Sequence, residues 1–189
     1  PTPENVPLTI VDTYNPRWSY AGSKLIGELF FIHYCTAYNM RGVIVRPHNF
    51  YGPRSGYEHV IPQFIERTEK KTDPFPIYGS DNTRTFCHIE DAVEAMRDLM
   101  ESKNTDGDIE TVHIGAHEEV SMRELAEKIF KIAEWSPGKI EEHSAPEGST
   151  KRRKADITKI KKLINWEPNT SLEEGLKKTY EWYVKHPKK

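Results

Sequence analysis

The first pattern along the chain is an apolar run that never acquires a broad polar face. After Lys24 come Leu25, Ile26, Leu29, Phe30, Phe31, Ile32, Tyr34 and Cys35. These spacings fill more than one side of a helix, so residues 16–38 are predicted to form a long helix buried on more than one side. Asn15-Pro16 gives a stop before it, and Ser19 is placed as its N-cap. Residues 1–14, with three prolines and little periodicity, read as a loop leading into that helix. Beyond the helix, Val43, Ile44 and Val45 form a β-branched run ending at Arg46-Pro47, the pattern of a buried parallel strand. Residues 52–66 read as a Gly/Pro turn feeding a helix, and Pro74, Pro76 and Gly79 punctuate a connection. Phe86 and Ile89 read as strand and core, Asp91 as the N-cap of a helix over 92–102, and residues 111–115 alternate as a strand does. Val120, Met122, Leu125, Ile129 and Ile132 recur at helical spacing and predict a helix over 119–134, opened by Ser121 with Glu124 three residues on in a capping-box pattern. Residues 139–149 are a polar loop. A basic cluster at 151–154 then leads into a helix, a turn over 163–168 and a final amphipathic helix built from Leu172, Leu176, Tyr180 and Tyr183.

Candidate chemistry sits at the start of the long helix. Tyr20 and Lys24 are one turn apart, and side chains at i and i+4 share a face. The Lys24 ammonium beside the Tyr20 phenol, aided by the positive end of the helix dipole, favours the phenolate and suits the phenol to proton exchange near neutral pH. The spacing alone fits an ordinary amphipathic helix equally well. Pro47, His48 and Asn49 follow the β-branched strand, and ligands of open α/β sheets bind beyond the carboxyl ends of strands. The fork of Arg84 suits a diphosphate, to which it can donate two parallel charge-assisted hydrogen bonds.

Composition narrows the function classes. The 189 residues leave room for one domain with a sizeable core, and 27 basic against 29 acidic residues give a net charge of −2. Both signs are interspersed, which argues against a nucleic-acid or membrane partner. Cys35 and Cys87 have neither metal nor redox spacing and suit reduced thiols in a cytoplasmic protein. No apolar window approaches the length of a membrane span.

Five stretches then occur in a telling order and cover almost the whole chain: PRWSYAGSK, GVIVRPHNFYGPR, PFPIYGSDNTRTFCHIEDAVEAM, VHIGAHEEVSMRELAEKI and DITKIKKLINWEPNTSLEEGLKKTYEWY. Together they resemble the extended short-chain dehydrogenase/reductase family, and within it the NAD-dependent nucleotide-sugar epimerases, dehydratases and decarboxylases. The resemblance implies an α/β fold in which a Rossmann-type parallel sheet binds NAD and a smaller α/β lobe binds the sugar nucleotide. Residues of about 11–56 and 82–118 would belong mainly to the first, 57–81 and 119–189 mainly to the second.

It also implies roles. Tyr20 would be the acid/base of a reaction through a keto-sugar, with Lys24 holding the phenolate and the cofactor ribose. Pro47 and His48 would border the nicotinamide, and Asn49 would bind the substrate. Gln63 would approach the nucleotide base, and Arg84 with Arg153 would clamp the diphosphate. A homodimer through the helix over 20–38 is expected, and no metal. The family's glycine-rich pyrophosphate turn and serine-bearing strand are not found, so the chain is expected to supply the C-terminal half of a longer enzyme and to be inactive alone. Residues 15–20, NPRWSY, and Arg153-Lys154 ahead of Ala155-Asp156 are similar to UDP-glucuronate decarboxylases. A reading of a different class is a non-catalytic or dimerising half.

Overall fold

The structure is a computed structural model that describes residues 1–105 and 109–188. Helix α1 (Arg17–Ala37) runs beside strand β1 (Gly42–Pro47). Their close approach depends on Gly42, where a Cβ would come within 2.5 Å of Phe31 Cζ and 3.1 Å of Cys35 Sγ. Pro16, whose φ of −60° is already helical, occupies the N-cap position of α1 without a side-chain cap. Ser19 is therefore not the cap. It lies inside the first turn, and its Oγ donates to Pro16 O at 2.7 Å. Within this chain α1 buries one side, against β1: among the described residues Cys35 is its one buried apolar side chain, whereas Phe30 is 73% and Tyr34 57% exposed.

Strand β1 pairs in parallel with β6 (Ile109–Ile114), from Gly42 opposite Ile109 to Pro47 opposite Ile114. Helices α3 (Ile89–Glu101) and α5 (Thr158–Ile164) back this pair, and Ala92, Ala95, Leu99, Val112, Ile114, Ile160 and Trp166 form one core. A second core joins α2 (Val60–Glu69), β3 (Phe75–Tyr78), α4 (Met122–Ile132) and α6 (Leu172–Lys185) through Ile61, Phe64, Ile65, Phe75, Leu125, Ile129 and Leu176. The architecture is mixed α/β with parallel, Rossmann-like pairing.

Three expectations change here. Residues 75–78 form a strand, with Phe75 and Ile77 inward, paired in parallel with β8 (Ile140–His143) in what reads as a polar loop. Two prolines beside Phe75 hide its period of two. Residues 119–121 are strand β7 (Glu119–Ser121), antiparallel to β4 (Thr83–Thr85), whose other edge pairs in parallel with β9 (Arg152–Arg153). Helix α4 therefore starts at Met122, where the expected capping box closes: Glu124 N donates to Ser121 Oγ at 3.0 Å, and Ser121 N to Glu124 Oε2 at 2.7 Å. Finally, His88 rather than Asp91 caps α3, its Nδ1 accepting from Glu90 N at 3.4 Å. Asp91 is buried in the first turn and accepts from Thr170 N at 3.0 Å and Thr170 Oγ1 at 3.1 Å.

The two cores meet where β2 (Phe50–Tyr51) pairs in parallel with β5 (Cys87–His88). Tyr51 packs edge-on to His88, with ring centroids 5.4 Å apart, and its hydroxyl donates to Leu172 O at 3.4 Å.

Candidate active site

Tyr20, Lys24 and Glu28 recur every fourth residue of α1 and share one face. They line an open cleft of about 770 Å³ whose other walls include Leu8, Ile10, Phe31, Val45 and Pro47. Lys24 Nζ stands 5.1 Å from the centroid of the Tyr20 ring, a cation–π arrangement that leaves the phenol 70% exposed toward the cleft and solvent. The sequence-predicted pair is thus brought together, with the ammonium over the ring face. Among the described residues Lys24 makes no ion pair.

One turn further, Glu28 is held by Arg46 at the end of β1 through a two-pronged pair, Nε to Oε1 at 2.8 Å and Nη2 to Oε2 at 2.7 Å, with under a fifth of either side chain exposed. Arg46 Nη1 also donates to Glu4 O at 3.0 Å, and His113 N donates to Glu4 Oε1 at 3.0 Å. Thr2 N donates to Lys154 O, and Asp156 N to Thr2 O, each at 2.9 Å. The segment around Thr2 and Glu4 therefore straps β1, β6 and the 154–156 stretch together beside the helix that carries Tyr20. The hydrogen bonds to Glu28 raise the Arg46 pKa, which fixes its charge. None of these supporting residues is singled out in the sequence reading, although the four-residue spacing of Tyr20, Lys24 and Glu28 and a charged residue closing a β-branched run are both visible there.

His48 and Asn49 follow Pro47. His48 N donates to Ile114 O at 2.9 Å, and its ring lies edge-on to His113 at 4.6 Å. Burial, then His113, Arg153 and Arg46, pull the His48 pKa down to about 4, so the ring is neutral at neutral pH. Its Nδ1 is buried and has no hydrogen-bond partner among the described residues. Asn49 takes a left-handed backbone, with φ at 48°, a conformation that Asn tolerates. Its Nδ2 donates to Thr85 O at 2.7 Å, and Asn49 O accepts from Cys87 N at 3.2 Å.

Arg84 and Arg153 are register partners across β4 and β9. Arg84 folds onto carbonyls of Thr83 at 2.7 Å, Thr150 at 2.6 Å and Lys151 at 3.3 Å. Neither arginine lines the Tyr20 cleft. His48 and Asn49 do not line it either; Arg153 acts on His48, and Asn49 binds the residue after Arg84. Gln63 stands apart on α2, its Nε2 donating to Glu58 O at 3.1 Å and its Oε1 accepting from Arg67 at 3.3 Å. Arg152 and Lys154, on either side of Arg153 in the basic cluster, pair with Glu119 at 2.7 and 3.8 Å.

The fold agrees with what the chain is similar to. The family model described as GDP-mannose 4,6 dehydratase matches residues 2–179, and the chain belongs to that family. A UDP-N-acetyl-alpha-D-glucosaminuronate decarboxylase from Bacillus cytotoxicus is 37% identical over 179 residues, which are 88% of this chain and 53% of that protein. A GDP-mannose 3,5-epimerase from Arabidopsis thaliana is 34% identical over 185 residues, 94% of this chain and 48% of that protein. The crystal structure of UDP-glucuronic acid 4-epimerase from Bacillus cereus in complex with NAD matches with a TM-score of 0.85 at 25% identity, over 99% of this chain and 57% of that one. The chain spans about half the length of the relatives it matches. Among the described residues, no helix is long and apolar enough to cross a membrane.

Proposed function

We propose that this chain carries the acid/base pair and the substrate-side groups of a cytoplasmic, NAD-dependent enzyme of the epimerase/dehydratase type. It would modify a nucleotide-diphosphate sugar through a transient keto-sugar. The observation that carries the reading is the Lys24 ammonium over the Tyr20 ring in a cleft that runs to Pro47, at the carboxyl end of β1. Support comes from the named relatives, which are nucleotide-sugar epimerases and a decarboxylase.

The residues present fit NAD. The cleft is of ligand size, and Lys24 brings to it a cation without an ion pair among the described residues. Lys24 would hold the ribose, while Pro47 and His48 would border the nicotinamide. Bound NAD supplies a hydride acceptor for the sugar carbon and a hydride donor for the return.

Tyr20 Oη takes the proton from the hydroxyl on that carbon as its hydrogen leaves, and gives it back when the carbonyl is reduced. Lys24 stabilises the phenolate that is present before the proton is taken and again after it is returned. Asn49, whose amide nitrogen is committed to Thr85 O, offers its remaining polar atoms to the sugar. Arg84 and Arg153 meet the diphosphate, and Gln63 approaches the base. We assign residues of about 11–56 and 82–118 to the cofactor side, and 57–81 with 119–189 mainly to the substrate side. The outer row of α1, Ile26, Phe30, Tyr34 and Tyr38, is assigned to a homodimer.

The test is turnover of a panel of UDP-, GDP- and dTDP-sugars by the protein that carries this chain, with Tyr20→Phe alongside. The expected result is a kcat lowered by roughly a hundred- to ten-thousandfold at little-changed KM. A variant working at the unmodified rate overturns the assignment and favours a non-catalytic role. The 37% identity to a decarboxylase favours a second reading, loss of carbon dioxide from an acidic sugar. Release of carbon dioxide from a UDP-uronate would select it.

A further inference from the structure

Glu28 stands at i+4 from Lys24, just as Lys24 stands at i+4 from Tyr20. A lysine in that place has two neighbours competing for it: a phenol one turn back and a carboxylate one turn ahead. On an isolated helix the i,i+4 Lys–Glu ion pair competes with the phenol for the ammonium, because opposite charges at this spacing attract. In this structure it does not form. Glu28 instead gives both carboxylate oxygens to Arg46, at 2.7 and 2.8 Å, and the Lys24 ammonium lies over Tyr20. Arg46 is itself anchored from behind by the carbonyl of Glu4, whose carboxylate accepts from β6. The guanidinium fork matches a carboxylate in a way that the point charge of an ammonium does not, so the bidentate pair holds Glu28 against competition.

We propose that Arg46 is a positioning residue that keeps Lys24 available to Tyr20 by sequestering Glu28. This deepens the acid/base reading above and rests on it. Arg46 does not touch the reacting atoms. Its effect is to remove the nearest rival for the ammonium. Without it a part-buried carboxylate loses its counter-charge, and the closest cation on the same helix face is Lys24. The ammonium then swings one turn toward the C-terminus, and the phenol loses the group that stabilises its ionised form.

The test compares Arg46→Gln, Glu28→Gln and the double variant in the protein that carries this chain, using the nucleotide sugar that the substrate panel identifies. Arg46→Gln is expected to lower kcat by roughly tenfold or more, the effect of withdrawing one charge-assisted interaction from the transition state. The pH optimum should move to the alkaline side, with KM little changed. Adding Glu28→Gln removes the rival carboxylate, so the double variant should recover most of the lost kcat and the original pH profile even though the bridge is still missing. Thermal melting separates this from a structural role, because Glu28→Gln also breaks the bridge and leaves a part-buried charge unpaired, so it should melt lower as Arg46→Gln does while keeping its kcat. A crystal structure of Arg46→Gln should show Lys24 Nζ within ion-pair distance of Glu28. A double variant as slow as Arg46→Gln, or an Arg46→Gln enzyme with full kcat, overturns the proposal. Failure of the acid/base reading shows up separately, as a Tyr20→Phe enzyme that keeps its activity.

Discussion

Gly175 gives the sharpest stability prediction, because two ordinary arguments about it point in opposite directions. It lies inside α6, where replacing glycine by alanine normally stabilises by about 1 kcal/mol. At this position, however, an added Cβ would lie 2.1 Å from Tyr51 Oη, 2.9 Å from Tyr51 Cζ and 3.0 Å from His88 Cδ2. Tyr51 is 4% exposed and His88 is 1% exposed, so neither ring has a free direction in which to yield. Overpacking of this kind costs about 1–3 kcal/mol. Displacing the Tyr51 hydroxyl from Leu172 O adds up to about 1 kcal/mol, since the bond is long at 3.4 Å. The steric cost wins, and Gly175→Ala is expected to lose about 2 kcal/mol net. For a chain of this size that corresponds to a fall in Tm of about 4–8 °C. The assay is thermal and urea denaturation of Gly175→Ala, Tyr51→Phe and the pair. Tyr51→Phe removes the atom at 2.1 Å and leaves those at 2.9 and 3.0 Å, so the double variant should recover part of the loss. A Gly175→Ala protein as stable as its parent, or a double variant no better than the single one, would refute the argument that the two cores are fitted around an absent methyl group.

Two further predictions follow from buried polar groups. Burial lowers the pKa of His48 to about 4 and also lowers those of His88 and His113 from the ordinary histidine value of 6.5. Between those limits the unfolded chain binds more protons than the folded one, so stability is full above about pH 6.5 and is lost on acidification toward pH 4. Tm measured from pH 7 to pH 4 should therefore fall, and His48→Asn should flatten part of that fall; a level profile down to pH 5 would contradict this. The Glu119 carboxylate, held near 2 by Arg152 and Thr83, acts in a lower window, its contribution being present above about 4.5 and lost only as pH drops toward 2. Asp91→Ala leaves Thr170 N and Oγ1 without their acceptor and should cost about 1–3 kcal/mol in urea denaturation, with Asp91→Asn in between; a loss below about 0.5 kcal/mol would show that water replaces the carboxylate.

The helices were legible wherever one face was plainly apolar. The capping box at Ser121, the spacing of Leu172, Leu176 and Tyr183, and the β-branched run of β1 all carry their structure in local pattern. The short strands were not legible, because what makes them strands lies in distant partners. Ile140 pairs with Phe75, 65 positions away, and nothing local marks residues 140–143 as extended. His88 displaced Asp91 as a cap because Thr170, far along the chain, claims the carboxylate. Of the site, the Tyr20 and Lys24 proximity could be read from spacing. The adjacency of Arg84 and Arg153 could not, because it is a register fact of β4 and β9. The strap from Glu4 to Arg46 and β6 was hidden for the same reason, inside a proline-rich stretch that has no period at all.

Helix α1 is fastened along a single seam, with Cys35 its sole buried apolar side chain among those described and Arg46 its one two-pronged tether. Regions with little buried surface open at the lowest free-energy cost, well before the cores around Phe75 and Ile114. Tyr20 and Lys24 thus ride on the part of this chain that lets go first. If the homodimer proposed above covers the outward row from Ile26 to Tyr38, assembly and reactivity answer to the same fastening.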